Sequence, residues 1–344
     1  MRRFFKGMCS IMIAAALSLQ AFPAEMSCLN VKAAEADKEQ AIAVDDTADA
    51  ATLERPVITS VINDNSGAIK ISWNEVEGAT GYKVYRRTEG EKNYKLIDDK
   101  ITQLYDLDYE TCSGIKYYYK VEAYNKTLKS PRSKAVSIID LLEPHFSLKQ
   151  INGSDVDIYL YGYTVFTEFD AYQIYRKEKG TTNWKKLATV PGKDVQEEWK
   201  EPNWISDNNK LYTDTDTEYG HTYVYMLRGI KGKYKSAKSG WNTITVMKTP
   251  SIKSAVYSDD GVDLSWTRVK GTMFYRISYY SYNNGWVTIR DIKIPGNETS
   301  YHLDLSKCEE YGEKYDDNVP LKLRVQARTK WSRKTSKEYK VSGK

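Results

Sequence analysis

The chain has 344 residues, enough for two or three domains of ordinary size. Its 51 Lys+Arg stand against 46 Asp+Glu, a formal net charge of +5, so acids are interspersed with bases and nucleic acid is excluded as the expected partner. Tyrosine is the outlier, 28 residues beside 7 Phe and 7 Met; it suits half-buried pleated surfaces, which makes an all-β protein the first expectation.

The N-terminus opens with Arg2, Arg3 and Lys6, followed by the apolar stretch 11–22 and by Val31-Lys32-Ala33, with short side chains where a signal peptidase reads. Residues 1–33 are therefore expected to be a secretory signal peptide cleaved after Ala33. The apolar stretch is interrupted by Ser18 and Gln20 and falls short of the roughly 20 residues that span a bilayer, so no transmembrane segment is expected in the mature chain. Residues 34–54 hold seven acids and one lysine and read as an acidic disordered linker. Only Cys112 and Cys308 survive cleavage, too few for a disulfide framework, and no Cys-x-x-Cys or Cys/His cluster offers a zinc site. The two thiols are expected to stay unbonded to each other, because they fall in the first and third of the repeats described next.

Three segments open alike, at Arg55-Pro56-Val57, Glu143-Pro144-His145 and Thr249-Pro250-Ser251. Each continues into an alternating strand: Ile69-Lys-Ile-Ser-Trp73, Val156-Asp-Ile-Tyr-Leu160 and Val262-Asp-Leu-Ser-Trp266. Tyr82-Lys-Val-Tyr-Arg86, Tyr172-Gln-Ile-Tyr-Arg176 and Tyr275-Arg-Ile277 follow, and then Tyr117–Ala123, Tyr223–Gly229 and Leu321–Ala327. Period-two alternation, turn-rich joints and no helical stretch past residue 54 predict antiparallel sandwiches over 55–140, 143–247 and 249–342. The joints at Leu141-Leu142-Glu143 and Met247-Lys248-Thr249 are not Gly/Ser linkers, so a stiff rod of about 100 Å is expected.

These residues resemble the fibronectin type III family, in the form common among secreted proteins of Gram-positive bacteria. Trp73 on the second strand, Gly78-Ala-Thr-Gly-Tyr82 entering the third and Gly114 before Tyr117 carry the resemblance in the first repeat. It implies a seven-stranded sandwich in which Tyr117 is a tyrosine corner, its hydroxyl bonding the chain just upstream. The second repeat keeps Gly220 and Tyr223 but has Leu160 in place of the buried Trp. The third keeps Trp266 but has Pro320-Leu321 in place of the corner, after an insertion at 314–319. Spacing and binding are the roles the family implies, and no single function.

No catalytic constellation is visible, so no enzyme, cofactor or metal is expected. His145, His221 and His302 fall at unrelated positions, and no nucleophile elbow, zinc helix or phosphate loop is present. Asp214-x-Asp216-x-Glu218 reads as a solvated turn rather than a calcium site, since no six-oxygen set accompanies it. Two features point to binding. Lysines and arginines follow the sixth strand of every repeat (Lys126 to Lys134, Lys231 to Lys238, Lys330 to Lys337), which attracts polyanions such as wall teichoic acids or else makes a solvated hairpin that blunts edge pairing. The second repeat also carries an insertion at 191–210 with Trp199 and Trp204, and a lengthened loop 161–169 with Tyr163. Trp199, Trp204, Tyr163, Lys233, Tyr234 and Lys235 are the candidate ligand-binding residues, at the end of the second repeat that faces the first. Their aromatic rings either stack on sugars or pack on protein. The expectation is a secreted, non-enzymatic surface or wall-associated protein that adheres or spaces, with an extracellular protein, polysaccharide or anionic wall polymer as partner. The alternative is a carbohydrate-binding protein with its site at the joint of repeats one and two.

Overall fold

The computed structural model describes residues 52–161, 169–192, 209–282, 284–310 and 320–343. In the first repeat seven strands run in order: β1 (Ile58–Asn63), β2 (Ile69–Trp73), β3 (Gly81–Thr88), β4 (Lys95–Ile101), β5 (Tyr105–Asp108), β6 (Lys116–Tyr124) and β7 (Val136–Ile139). They form two antiparallel sheets, β1-β2-β5 and β4-β3-β6-β7, the strand order of a fibronectin type III sandwich. Alternation decides which side each residue takes. On β2, Ile69, Ile71 and Trp73 are buried while Lys70 and Ser72 between them are not. They meet Val84, Tyr119 and Val121 of the facing sheet in one core. Leu53, which the sequence assigns to the acidic stretch 34–54, is also buried against this core.

The second repeat reproduces the order with β8 (Phe146–Gln150), β9 (Val156–Leu160), β10 (Ala171–Glu178), β11 (Lys185–Pro191), β12 (Lys210–Asp214), β13 (Thr222–Lys231), β14 (Tyr234–Lys238) and β15 (Asn242–Thr245). Its sheets are β8-β9-β12 and β11-β10-β13-β14, with β15 also paired to β13. The third repeat comprises β16 (Ile252–Ser258), β17 (Gly261–Trp266), β18 (Phe274–Ser281), β19 (Gly285–Thr288), β20 (Ile294–Pro295), β21 (Ser300–Asp304), a short helix α1 (Ser306–Glu310), β22 (Lys322–Arg328), β23 (Arg333–Thr335) and β24 (Tyr339–Lys340). Here β16-β17-β21 faces β19-β18-β22-β23. Helix α1 corrects the expectation of no helix after residue 54: five residues are too few to leave a periodic signal. Contacts group the chain into two units, Met1–Leu142 with Tyr234–Ala237, and Glu143–Lys233 with Lys238–Lys344. Within the second unit Met247 is buried in the third repeat's core, and the Gln150 amide bonds both its N–H and its carbonyl at 2.9 Å.

The missing Trp of the second repeat has a substitute. Trp73 lies 5.4 Å from Tyr82 and Trp266 lies 5.3 Å from Tyr275, ring centroid to centroid. In the second repeat Phe169 reaches in from the lengthened loop and sits 5.3 Å from the matching Tyr172, only 4% exposed. Opposite Tyr172 stands Gly229, where the other repeats have Ala123 and Ala327. A Cβ at Gly229 would overlap the Phe169 ring. Leu160, Phe169 and Gly229 are thus one repacking of the same volume.

The corner between the fifth and sixth strands differs more. Cys112 N–H donates to the Tyr117 hydroxyl at 2.9 Å, and Glu218 N–H to that of Tyr223 at 3.1 Å, the tyrosine corners expected. Beside them lies an ion-pair cluster invisible to motif reading. Arg86 Nη1 contacts both oxygens of the buried Asp108 at 2.7 Å, and Tyr119 donates its hydroxyl to Asp108 at 2.7 Å. In the second repeat Arg176 Nη1 lies 2.7 Å from Asp214, to which Tyr225 donates at 2.8 Å. Burial alone would lower the Arg86 and Arg176 pKa values; the adjacent aspartates outweigh it and hold both above the usual value. Burial also pushes the Tyr119 and Tyr225 hydroxyls well above theirs. At the matching positions the third repeat has Tyr279 opposite Leu323, with Leu321 buried and Tyr279 donating to the Cys308 carbonyl at 2.7 Å.

One detail recurs in all three. Where the last strand breaks, a serine hydroxyl accepts a sixth-strand N–H: Val121 to Ser133 at 2.9 Å, Leu227 to Ser239 at 2.8 Å, Val325 to Ser336 at 3.0 Å.

Candidate functional site

Tyr163, Trp199 and Trp204 lie outside the described residues. Lys233, Tyr234 and Lys235 form the turn and start of the β13–β14 hairpin, with both lysines exposed. Tyr234 is half-buried. It groups with the first unit, packs against that unit's core, and its hydroxyl lies 2.9 Å from Ser137 Oγ. Cys112 and Cys308 are not joined in a disulfide, and Cys308 is 1% exposed.

The other polar candidates are engaged. Asp214 and Asp216 face Arg176, and Asp216 faces Lys185 as well, so this turn spends its carboxylates on protein cations. Among the described residues no group of three or more His, Cys, Asp or Glu is placed to hold a metal ion. His221 Nδ1 lies 2.7 Å from Glu178. A groove of about 380 Å³ on the outer side of β16-β17-β21 is lined by Ser254, Asp263, Ser265, Ser300, Tyr301 and His302. His302 Nδ1 is 2.8 Å from Asp263 and Nε2 is 3.3 Å from Asp260. The Asp263 hydrogen bond, aided by the charges of Asp260 and Asp304, holds its pKa above 6.5. Both ring nitrogens face carboxylates, which leaves neither to take a proton from a serine.

Reasoning on motifs missed a pattern on the outer faces of the larger sheets. Trp286 pairs with Tyr280, and Tyr94 and Trp184 come one residue before Lys95 and Lys185, which pair with Arg86 and Arg176, so continuing the register sets an aromatic against Arg87, Lys177 and Tyr280 in turn. Strand alternation fixes its side, because the neighbours in register (Arg87, Lys177 and Tyr280) alternate with core residues. A cation lies against each ring. Arg87 and Lys120 stand 5.4 and 4.8 Å from the Tyr94 centroid, and Arg87 is 3.9 Å from Tyr118. Lys177 sits 5.2 Å from Trp184 and 5.1 Å from Trp241, whose indoles are 5.8 Å apart; Trp241 is 64% exposed. Arg324 lies 3.8 Å from Trp286, beside Tyr280. Such pairs stiffen a cation over an apolar ring and leave N–H donors facing outward. Chemically, that arrangement offers a sugar ring an apolar platform and a negative group a donor. The signal was present in the sequence as an aromatic preceding Lys95, Lys185 and Val287, but spacing alone does not show which face the three take.

No family model matches the chain. An amylopullulanase of Thermoanaerobacter thermohydrosulfuricus is 32% identical over 83 residues, 24% of this chain and 6% of that protein. One of Thermoanaerobacterium thermosulfurigenes is 30% identical over 66 residues, 19% of this chain and 4% of that protein. The chain thus spans a small fraction of these relatives. Among solved structures, an Fn3-like protein from Clostridium thermocellum is 31% identical, with 24% of this chain and 86% of that one covered and a TM-score of 0.23. The chicken CNTN1 FN1–FN3 domains are 14% identical, covering 84% of this chain and 98% of theirs, at a TM-score of 0.29.

Proposed function

We propose, from the premise that the repeats belong to the fibronectin type III family, that this chain is a secreted, non-enzymatic protein that adheres to polysaccharide and spaces what it holds. One observation carries the reading: an aromatic residue at the same register position of all three larger sheets, on the face turned from the core, each beside a cation. Core packing cannot account for it, since these rings face outward, and Trp241 beside Trp184 is largely exposed. The charged N-terminus followed by a short apolar stretch supports export. Matches to proteins named amylopullulanase support a polysaccharide context. The lysine-rich hairpins after the sixth strands add attraction to anionic wall polymers.

The test is adsorption of the mature chain to isolated bacterial cell wall and to insoluble starch. A Tyr94→Ala/Trp184→Ala/Trp286→Ala variant is expected to adsorb about tenfold more weakly to the preferred material, with an unchanged circular-dichroism spectrum. Unchanged adsorption overturns the assignment to these faces.

A further inference from the structure

Among the described residues, Arg276, Arg324, Arg328 and Arg333 of the third repeat's larger sheet have no carboxylate partner, whereas Lys322 pairs with Glu338 at 3.7 Å. Alternation turns Phe274, Arg276, Ser278 and Tyr280 of β18 outward, and Arg324, Gln326 and Arg328 of β22 beside them. In register, Arg276 stands opposite Gln326, and Arg328 stands between Phe274 and Arg333 of β23. Arg324 lies on Trp286 at one end of this strip, and Lys293 lies 4.8 Å from the Phe274 ring at the other. The Arg328 pKa is held below its ordinary value, first by burial and then by the charges of Arg276 and Arg333. Three guanidinium groups thus repel one another on a face where charge repulsion is avoidable. Two of its buried donors, Arg276 Nε and Arg324 Nε, and the buried acceptor Gln326 Oε1, have no hydrogen-bond partner. A buried unmatched donor is destabilising, the more so when it is charged.

The first two repeats solve the same face differently. Glu89 pairs with Lys116 at 2.9 Å in the first, and Lys177 donates a hydrogen bond to the Thr181 carbonyl at 2.9 Å in the second. In the first repeat Glu122 stands at the position of Gln326 and answers Arg132 at 3.4 Å, a carboxylate the third repeat lacks there.

We propose that this strip is the binding site for an acidic polysaccharide, whose carboxylates are taken by the forks of Arg276, Arg328 and Arg333. This rests on the polysaccharide reading above and names its chemical class. Arginine presents paired N–H groups that match a carboxylate bidentately. Arg324 lies 3.8 Å over Trp286 and Lys293 4.8 Å over Phe274, so cationic donors stand beside both rings, and sugars joined through carboxylate contacts need no base-stacking platform.

The experiment is calorimetric titration of the full mature chain with polygalacturonate at several salt concentrations. The parent is expected to bind, and the Arg276→Gln/Arg328→Gln/Arg333→Gln variant to bind about tenfold or more weakly with a shallower salt dependence. The matching triple-lysine variant keeps the charge but loses the fork, and is expected to fall between them; its folding controls for loss of structure. Lys92→Gln/Lys100→Gln, exposed in the first repeat and outside the lysine-rich hairpins, is expected to change little. No binding of polygalacturonate, or equal binding by the triple-Gln variant, overturns the site. Equal affinity for polyglutamate, or higher affinity for a single-stranded oligonucleotide, overturns the saccharide assignment. If the arginine variant binds normally while the Tyr94/Trp184/Trp286 variant loses adsorption, this inference fails and the proposed function stands.

Discussion

The corner of the first repeat and the corner of the third occupy one place in one fold and are held in opposite ways. In the first, Arg86, Asp108 and Tyr119 form a buried ionic cluster, with the carboxylate 3% exposed. In the third, the matching residues Tyr279 and Leu323 leave only one hydrogen bond, to the Cys308 carbonyl. Two charges taken from water need every lone pair matched, and replacing such a set whole by apolar side chains is often neutral. The sandwich therefore demands a filled corner, and the chemistry of the filling is free. What it does not tolerate is half of either solution.

That asymmetry sets the largest expected effect. Asp108→Ala leaves the Arg86 guanidinium and the Tyr119 hydroxyl unanswered and is expected to cost about 3–5 kcal/mol. Asp304→Ala, one residue past Leu303, which takes the matching register position, faces solvent and loses the bond from the Ser306 N–H, and is expected to cost about 1 kcal/mol. Denaturant unfolding of the two variants checks the pair; similar costs would break the comparison. Next comes the other end of the sandwich. Gly229→Ala drives a methyl into Phe169 and is expected to cost about 1–3 kcal/mol, with Phe169→Leu in the same chain recovering part of it. Smaller is the whole exchange, Arg86→Met/Asp108→Leu/Tyr119→Leu, which copies the third repeat's apolar answer and is expected to be near neutral by the same measurement.

The smallest effect is in pH. His302 has its folded pKa raised, first by the Asp263 hydrogen bond and then by Asp260 and Asp304. Its contribution is complete below the unfolded value of about 6.5 and is lost as pH rises through the folded value. An imidazole titration midpoint above 6.5, and a difference between parent and His302→Gln unfolding midpoints that shrinks toward alkaline pH, are expected.

Much of this was legible in the sequence, and the reason is alternation. Trp73, Trp266, Tyr117 and Tyr223 announced the cores and two of the corners, because each residue's role follows from its parity on a strand. Arg86 obeyed the same parity, sharing the inward face with Tyr82 and Val84, yet an arginine reads as surface until its partner is found 22 residues on. Phe169 misled in the opposite sense. It lies at the end of a lengthened loop, where side chains are usually solvated, and it is core, because Leu160 left a Trp-sized volume to fill. The outward aromatics were half visible: Tyr94 and Trp184 stand twelve residues after Tyr82 and Tyr172, and Trp286 eleven after Tyr275, but spacing alone does not show which face they take, and the pairing with the third strand does.

The serines at the broken last strand carry a consequence for life at high density. An open sandwich exposes strand edges, and a straight edge is a template on which another chain can zip. Ser133, Ser239 and Ser336 consume the sixth-strand N–H groups where the last strand jogs, and each hydroxyl in turn donates to a neighbouring carbonyl, of Lys134, Gly240 and Lys337. The interrupted edge offers an incoming strand no continuous ladder. Many copies crowded side by side on one polymer would then stay separate molecules, so that multivalent display does not turn into fibre growth.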